Sequence, residues 1–128
     1  ALWRHGEAEL AWDVLSRHFW MGEMLPYFPQ EHYCDRPGAP ANKRASIIAG
    51  VAGMQAVLCG MAGFTPELDG GLRISPHVPK AGYVEIKNYR HRKSSITLYM
   101  EPGRIRIWRD GTLFYEGAPR EVLIPGAE

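Results

Sequence analysis

Cysteine is scarce. Cys34 and Cys59 are the only two in 128 residues, and they form no CxxC pair, so no disulfide framework is expected. Charge of one sign is also missing. A formal net charge of +1 gives no global pull toward nucleic acid or an anionic membrane. The five histidines, His5, His18, His32, His77 and His91, include no pair at zinc-ligand spacing, so no metal is assigned. Neither a glycine-rich phosphate loop nor a GxSxG elbow occurs, and no cofactor is assigned. The chain opens Ala1-Leu2-Trp3-Arg4-His5 without the apolar run of a signal peptide. It reads as starting inside a structural element, and the expectation is a piece of a longer protein.

What is present is ordinary in bulk and uneven along the chain. An apolar fraction of 45% and a charged fraction of 23% are those of a globular protein. Ala8, Leu10, Ala11, Val14, Leu15, His18 and Phe19 recur at helical spacing, with Glu7 and Glu9 in the first turn and Gly22 as a stop. That pattern predicts an amphipathic helix over residues 6–21. Residues 23–43 then form a long loop, broken by Pro26, Pro29, Pro37 and Pro40. Loops of this length are usually functional or disordered, and Tyr27, Phe28 and Tyr33 argue against disorder.

This loop holds the densest chemistry in the chain. Gln30-Glu31-His32-Tyr33-Cys34-Asp35 is followed by Arg36-Pro37-Gly38-Ala39-Pro40, which places carboxylate, imidazole, phenol and thiol side by side. Such groups on a loop held by rigid elements are where chemistry usually sits. Glu31 is the candidate reactive carboxylate; the plainer reading is a connecting loop whose charges face water.

Residues 46–63 are apolar on nearly every face, with Ser46 and Gln55 the exceptions. Three readings compete. The length is near that of a membrane span, a helix buried all round inside a larger helical domain also fits, and a strand pair is the third. The glycines weaken the span and spoil continuous strands, so the buried helix is preferred and no membrane is expected. A helix buried on every side needs more neighbours than one amphipathic helix supplies, a second indication of a fragment.

After Thr65 the period changes to two. Leu72-Arg73-Ile74 is a short strand after the Asp69-Gly70-Gly71 turn, residues 83–89 alternate, and residues 94–100 alternate with Ile96, Leu98 and Met100 inward. Asp110-Gly111 between two β-rich runs is a type I′ hairpin signal. Residues 121–124 complete an antiparallel half resembling a sandwich. Arg90-His91-Arg92-Lys93 with Arg104, Arg106 and Arg109 admits a phosphate-binding patch, but charges guarding a strand edge are the preferred reading. Trp3, Trp12, Trp20 and Trp108 are able to stack on sugar rings, though large aromatics more often belong to the core.

Several of these stretches line up, in order, with a known architecture. The helix, the Glu31-His32-Tyr33 loop, the small-residue helix Ala49-Gly50-Val51-Ala52-Gly53, and above all Asp69-Gly70-Gly71-Leu72-Arg73-Ile74-Ser75-Pro76-His77-Val78-Pro79 resemble the C-terminal end of glycoside hydrolases and phosphorylases built on a six-hairpin α/α barrel. The maltose/kojibiose phosphorylase group and related inverting glucosidases and trehalases are the nearest in pattern. The resemblance implies an α+β chain: residues 1–66 as the last helical hairpin of the barrel, residues 67–128 as a C-terminal antiparallel β-sandwich-like domain. It implies that the rest of the barrel, with the general acid, lies elsewhere in the same protein. It also implies that Glu31 is the catalytic base, that His32, Tyr33 and Arg36 bind substrate, and that the partner is an oligosaccharide or glycoside. The phosphorylases hold phosphate with a histidine near the start of the last helix; here that region reads Ser46-Ile47-Ile48, which favours hydrolysis over phosphorolysis. A non-catalytic carbohydrate-binding or accessory module is the alternative. The isolated chain is expected to self-associate through its helices.

Overall fold

The computed structural model describes residues 2–17, 29, 33, 36, 44–78, 80 and 82–126. It is an α+β chain with two α-helices and two antiparallel sheets among these residues. A 3-10 turn, Leu2–His5, precedes α1, Ala8–Ser16. Helix α1 buries Ala11 and Leu15 and packs the half-buried Ala8 and Trp12 against the same core. These four positions form one stripe at helical spacing. Leu10 and Val14, also expected on the buried face, are exposed. Both apolar stripes obey the same period, and contact with the sheets selects only one. The stretch from His18 to Met21, also expected to be helical, lies outside the described residues.

The second helix, α2, spans Ile47–Gln55 and continues without a break into a π-helical turn, Ala56–Met61. Ser46 is its N-cap: the Ala49 N–H donates to Ser46 Oγ at 3.2 Å, satisfying one otherwise free first-turn donor. The expected helix is therefore present, and in this chain alone it is not enclosed. No residue of α2 is buried, and Ile47 and Ile48 are 86% and 82% exposed. Only its C-terminal continuation reaches the core, through Met61 and Ala62. No described helix is long and apolar enough to cross a membrane.

Strands β1 (Phe64–Pro66), β2 (Leu72–Ile74) and β7 (Val122–Ile124) make a three-stranded sheet in the order β1-β2-β7. Strands β3 (Val84–His91), β4 (Ser94–Glu101), β5 (Arg104–Arg109) and β6 (Thr112–Gly117) form a four-stranded meander. The expected inward row of Ile96, Leu98 and Met100 is fully buried, with Ile105 and Ile107 beside it. Asp110 and Gly111 both adopt left-handed φ, 52° and 82°, as the type I′ hairpin joining Arg109 to Thr112 requires. In β3 the register shifts between Ile86 and Tyr89, where Asn88 has φ 55°. This bulge changes the alternation, so the half-buried positions run Val84, Ile86, then Tyr89, His91. Both sheets, α1 and the π turn contribute to one hydrophobic cluster containing Trp3, Leu15, Met61, Phe64, Leu98 and Ile107 among others.

Candidate functional site

The sequence points first to the loop after α1. Glu31 and His32 lie outside the described residues, while Tyr33 and Arg36 lie within them, both exposed. The Arg36 guanidinium carbon sits 4.0 Å from the Tyr33 ring centroid, a cation–π contact. The base of the loop is fixed by an antiparallel bridge between Pro29 and Ala45. Pro29 is buried, and Ala45 directly precedes the Ser46 cap. Glu31 thus follows a pinned residue by two positions, and the 15 residues between the bridge partners close on the start of α2.

The segment 69–79, which carries the most specific resemblance, is a joint between parts of the fold. Asp69 Oδ1 accepts from the Gly71 N–H at 2.8 Å, an Asx turn. Gly70 has φ 90°, and a Cβ there would meet the Arg92 guanidinium, its Cζ 2.6 Å away. His91 Nε2 lies 3.0 Å from the Gly70 carbonyl oxygen; that oxygen only accepts, so Nε2 carries the proton. The tip of the β1–β2 hairpin is thereby tied to the tip of the β3–β4 hairpin. Downstream, the Ser75 N–H donates to Gly63 O at 3.2 Å and the His77 N–H to Met61 O at 2.8 Å, which ties the segment to the end of the π turn. Ser75 Oγ donates to Glu121 Oε2 at 2.9 Å. Burial lowers the His77 pKa, and its ring lies 6.4 Å from that of Trp3. Arg73 pairs with Glu67, its Nε donating to Oε1 at 2.6 Å, and this hydrogen bond raises the Arg73 pKa.

The arginines of β5 are engaged within the sheet, and they do not guard an edge. β5 lies between β4 and β6. Arg104 pairs with Glu116. Arg109 donates from Nε to Ser94 Oγ at 3.1 Å and from a terminal nitrogen to the Pro125 carbonyl at 3.2 Å. Arg106 is stacked: its guanidinium carbon is 4.7 Å from the Tyr99 ring centroid and 5.8 Å from that of Trp108. Tyr83 stacks on Tyr99 at 5.7 Å and 23° between planes. Trp3 is a core residue, 5% exposed. Trp108 is half-buried on the β5 positions that alternate with the buried Ile105 and Ile107, so it faces away from that core. Trp20 lies outside the described residues.

Tyr83, Tyr99, Arg106 and Trp108 are the residues that the sequence reading missed as a group. The signal for half of the group was available. Glu101 pairs with Arg104 around the two-residue turn Pro102-Gly103, and the same register places Tyr99 opposite Arg106. The neighbouring charges are internally matched. The Tyr99 hydroxyl donates to Glu101 Oε2 at 3.0 Å, which raises the Tyr99 pKa. The hydrogen bond from Arg104 holds the Glu116 carboxyl below its ordinary pKa.

An open cleft of ≈ 490 Å³ is lined by Trp3, Arg4, His5, Gln55 and Cys59 together with small residues of the π turn and α2. Among the described residues no group of three or more His, Cys, Asp or Glu side chains could hold a metal ion. No protein-family model, no curated protein and no solved structure matches the chain.

Proposed function

We propose that this chain is the C-terminal part of a carbohydrate-active enzyme that hydrolyses glycosidic bonds with inversion. Its helices are the last pair of a six-hairpin α/α barrel, and its strands make a sandwich-like C-terminal domain. The observation that supports this most is the apolar face of α2. Ile47, Ile48, Val51 and Met54 are 86%, 82%, 52% and 56% exposed, on a capped helix that runs directly into the π turn and β1. A contiguous exposed apolar face marks an interaction surface, and the remaining helices of a barrel would cover it.

In this reading Glu31 is the general base. It takes a proton from water as the oxygen attacks the anomeric carbon. A second carboxyl, from another part of the same protein, protonates the departing glycosidic oxygen. Inversion requires the two carboxyls roughly 6.5–9.5 Å apart, with the water between, so they come from different loops. The Pro29–Ala45 bridge suits this task because it fixes the base of the loop that must place the water. His32, Tyr33 and Arg36 line the sugar pocket, where the exposed Tyr33 ring and the Arg36 donors supply a stacking surface and hydrogen bonds.

The test is Glu31→Gln in the full-length enzyme. A general base contributes typically ~10²–10⁴-fold, so kcat falls by about that factor while KM and folding change little. Azide restores part of the rate if the lost function is water activation. The 128-residue chain alone gives no turnover of aryl glycosides. A Glu31→Gln enzyme keeping more than about half of its kcat would remove Glu31 from the chemistry.

A further inference from the structure

We infer that the outer face of the four-stranded sheet is a second, non-catalytic site that holds a neutral oligosaccharide across Tyr83, Tyr99, Arg106 and Trp108. The inference rests on the carbohydrate reading above but uses none of the residues of the Glu31 loop.

Three observations carry it. The first is continuity. Tyr83 stacks on Tyr99, Tyr99 lies under Arg106, and Arg106 lies against Trp108. The result is one stripe of ring, ring, guanidinium and ring along the side of the sheet opposite the core. Tyr83 ends the stripe and is 68% exposed. Beside Trp108, its cross-strand partner Leu113 is 48% exposed. A rigid aromatic row of this kind offers apolar area at small entropic cost, and ring faces suit the C–H faces of a sugar.

The second is charge. By strand register this face also carries Glu85, Glu101 and Glu116 and the cations Lys87, Arg90, Arg104 and Arg106. The signs nearly balance. Lys87 is 3.1 Å from Glu85, Arg104 holds Glu116 and Glu101 accepts from Tyr99. A phosphate-bearing strand would need a large surplus of cations, and its charge would meet three carboxylates here. A neutral polyhydroxylated ligand meets fixed donors and acceptors and little uncompensated charge.

The third is an open valence. Arg106 Nε is buried and has no hydrogen-bond partner. A buried donor left unpaired is costly, and a guanidinium turned outward on the stripe would bring Nε to a sugar hydroxyl or ring oxygen.

Calorimetric titration of the 128-residue chain with maltohexaose, cellohexaose, xylohexaose and mannohexaose, beside a thymidylate decamer, tests this. Saturable binding of at least one hexasaccharide at micromolar to millimolar Kd is expected, with none of the decamer. Tyr83→Ala and Trp108→Ala each weaken that binding about tenfold or more. Trp108→Phe, which keeps a ring and guards against a folding defect, retains most of it. The inference is overturned if no hexasaccharide binds at ~10 mM, if both alanine variants bind as tightly as the parent, or if the decamer binds in their place. Loss of turnover in full-length Glu31→Gln together with no binding here would keep the glycosidase and remove this site. Binding here with full Glu31→Gln activity would do the reverse.

Discussion

Replacing Gly63 by alanine should be among the most damaging single-atom additions to this fold. Gly63 follows the π turn and precedes β1, with φ 67°. In that conformation a side chain costs about 1–2 kcal/mol on its own. A Cβ there would also overlap the Ser75 carbonyl oxygen and lie 2.5 Å from the Ser75 carbonyl carbon and 2.9 Å from its Cα. These are backbone atoms, so no rotamer change relieves the overlap. The chain must instead separate where the Ser75 N–H donates to Gly63 O. Forced overpacking costs typically about 1–3 kcal/mol, and the two effects together give about 2–5 kcal/mol. Gly103→Ala is the control. Gly103 has φ 82° with nothing within 4 Å of an added Cβ, so it carries only the conformational cost of about 1–2 kcal/mol. Guanidinium unfolding followed by tryptophan fluorescence gives both values from the midpoint, provided the slope is unchanged. If Gly63→Ala loses no more than Gly103→Ala, within about 0.5 kcal/mol, the close approach to Ser75 is not a constraint on this fold.

Two further outcomes are expected. The Glu116 carboxyl titrates below its ordinary value of 4.5 because Arg104 hydrogen-bonds its charged form. The folded state therefore binds fewer protons than the unfolded chain, the contribution is complete above that ordinary value, and it is lost as pH falls through the lowered one. Urea midpoints taken between about pH 5 and pH 3 should fall less steeply in Glu116→Gln than in the parent. The difference should shrink at high salt, since the pair is solvent-exposed; parallel curves for the two proteins would refute the assignment. The apolar face of α2 should make the isolated chain self-associate, and the double variant Ile48→Glu with Val51→Glu should shift it toward monomer in sedimentation velocity with an unchanged circular dichroism spectrum. A parent chain that already sediments as one monomeric species would remove that surface as an interface.

Much of the β half was legible because its signals are local. Asp110-Gly111 dictates a turn whose φ values few other pairs adopt, and the alternation of Ile96, Leu98 and Met100 needs no partner to be read. What escaped depended on distant contacts. Leu10 and Val14 obey the same period as Ala11 and Leu15, and only the position of the sheets decides which stripe is covered. The Asn88 bulge changes the facing of the end of β3, a choice fixed by its pairing with β4. Residue type alone favours the core over sugar stacking for Trp108, yet its register with Thr97 and Leu113 sets it on the opposite face. Of the candidate site, Tyr33 and Arg36 are near enough for a cation–π contact, which their i, i+3 spacing permits but does not require.

The segment 69–79 explains why a resemblance can be specific and still say little about chemistry. Its distinctive residues have architectural reasons to be what they are. Asp69 closes the turn, Gly70 admits Arg92 above it, and Leu72 and Ile74 are fully buried. The Ser75 and His77 amides return to the end of the π turn. A joint so constrained is recognisable in sequence because few residues satisfy it, and those constraints concern how a helical part meets a β part. Catalysis makes a different demand, a carboxylate placed against water and a bond, and its signature is short and cheap to imitate: one Glu in a polar loop. The two kinds of evidence therefore separate experimentally. Substitutions in the joint act on unfolding midpoints, as Gly63→Ala does at its edge. On the proposed function, substitution at Glu31 acts on kcat, and the Pro29–Ala45 bridge is where the two meet, since it ties the Glu31 loop to the helix that enters the joint.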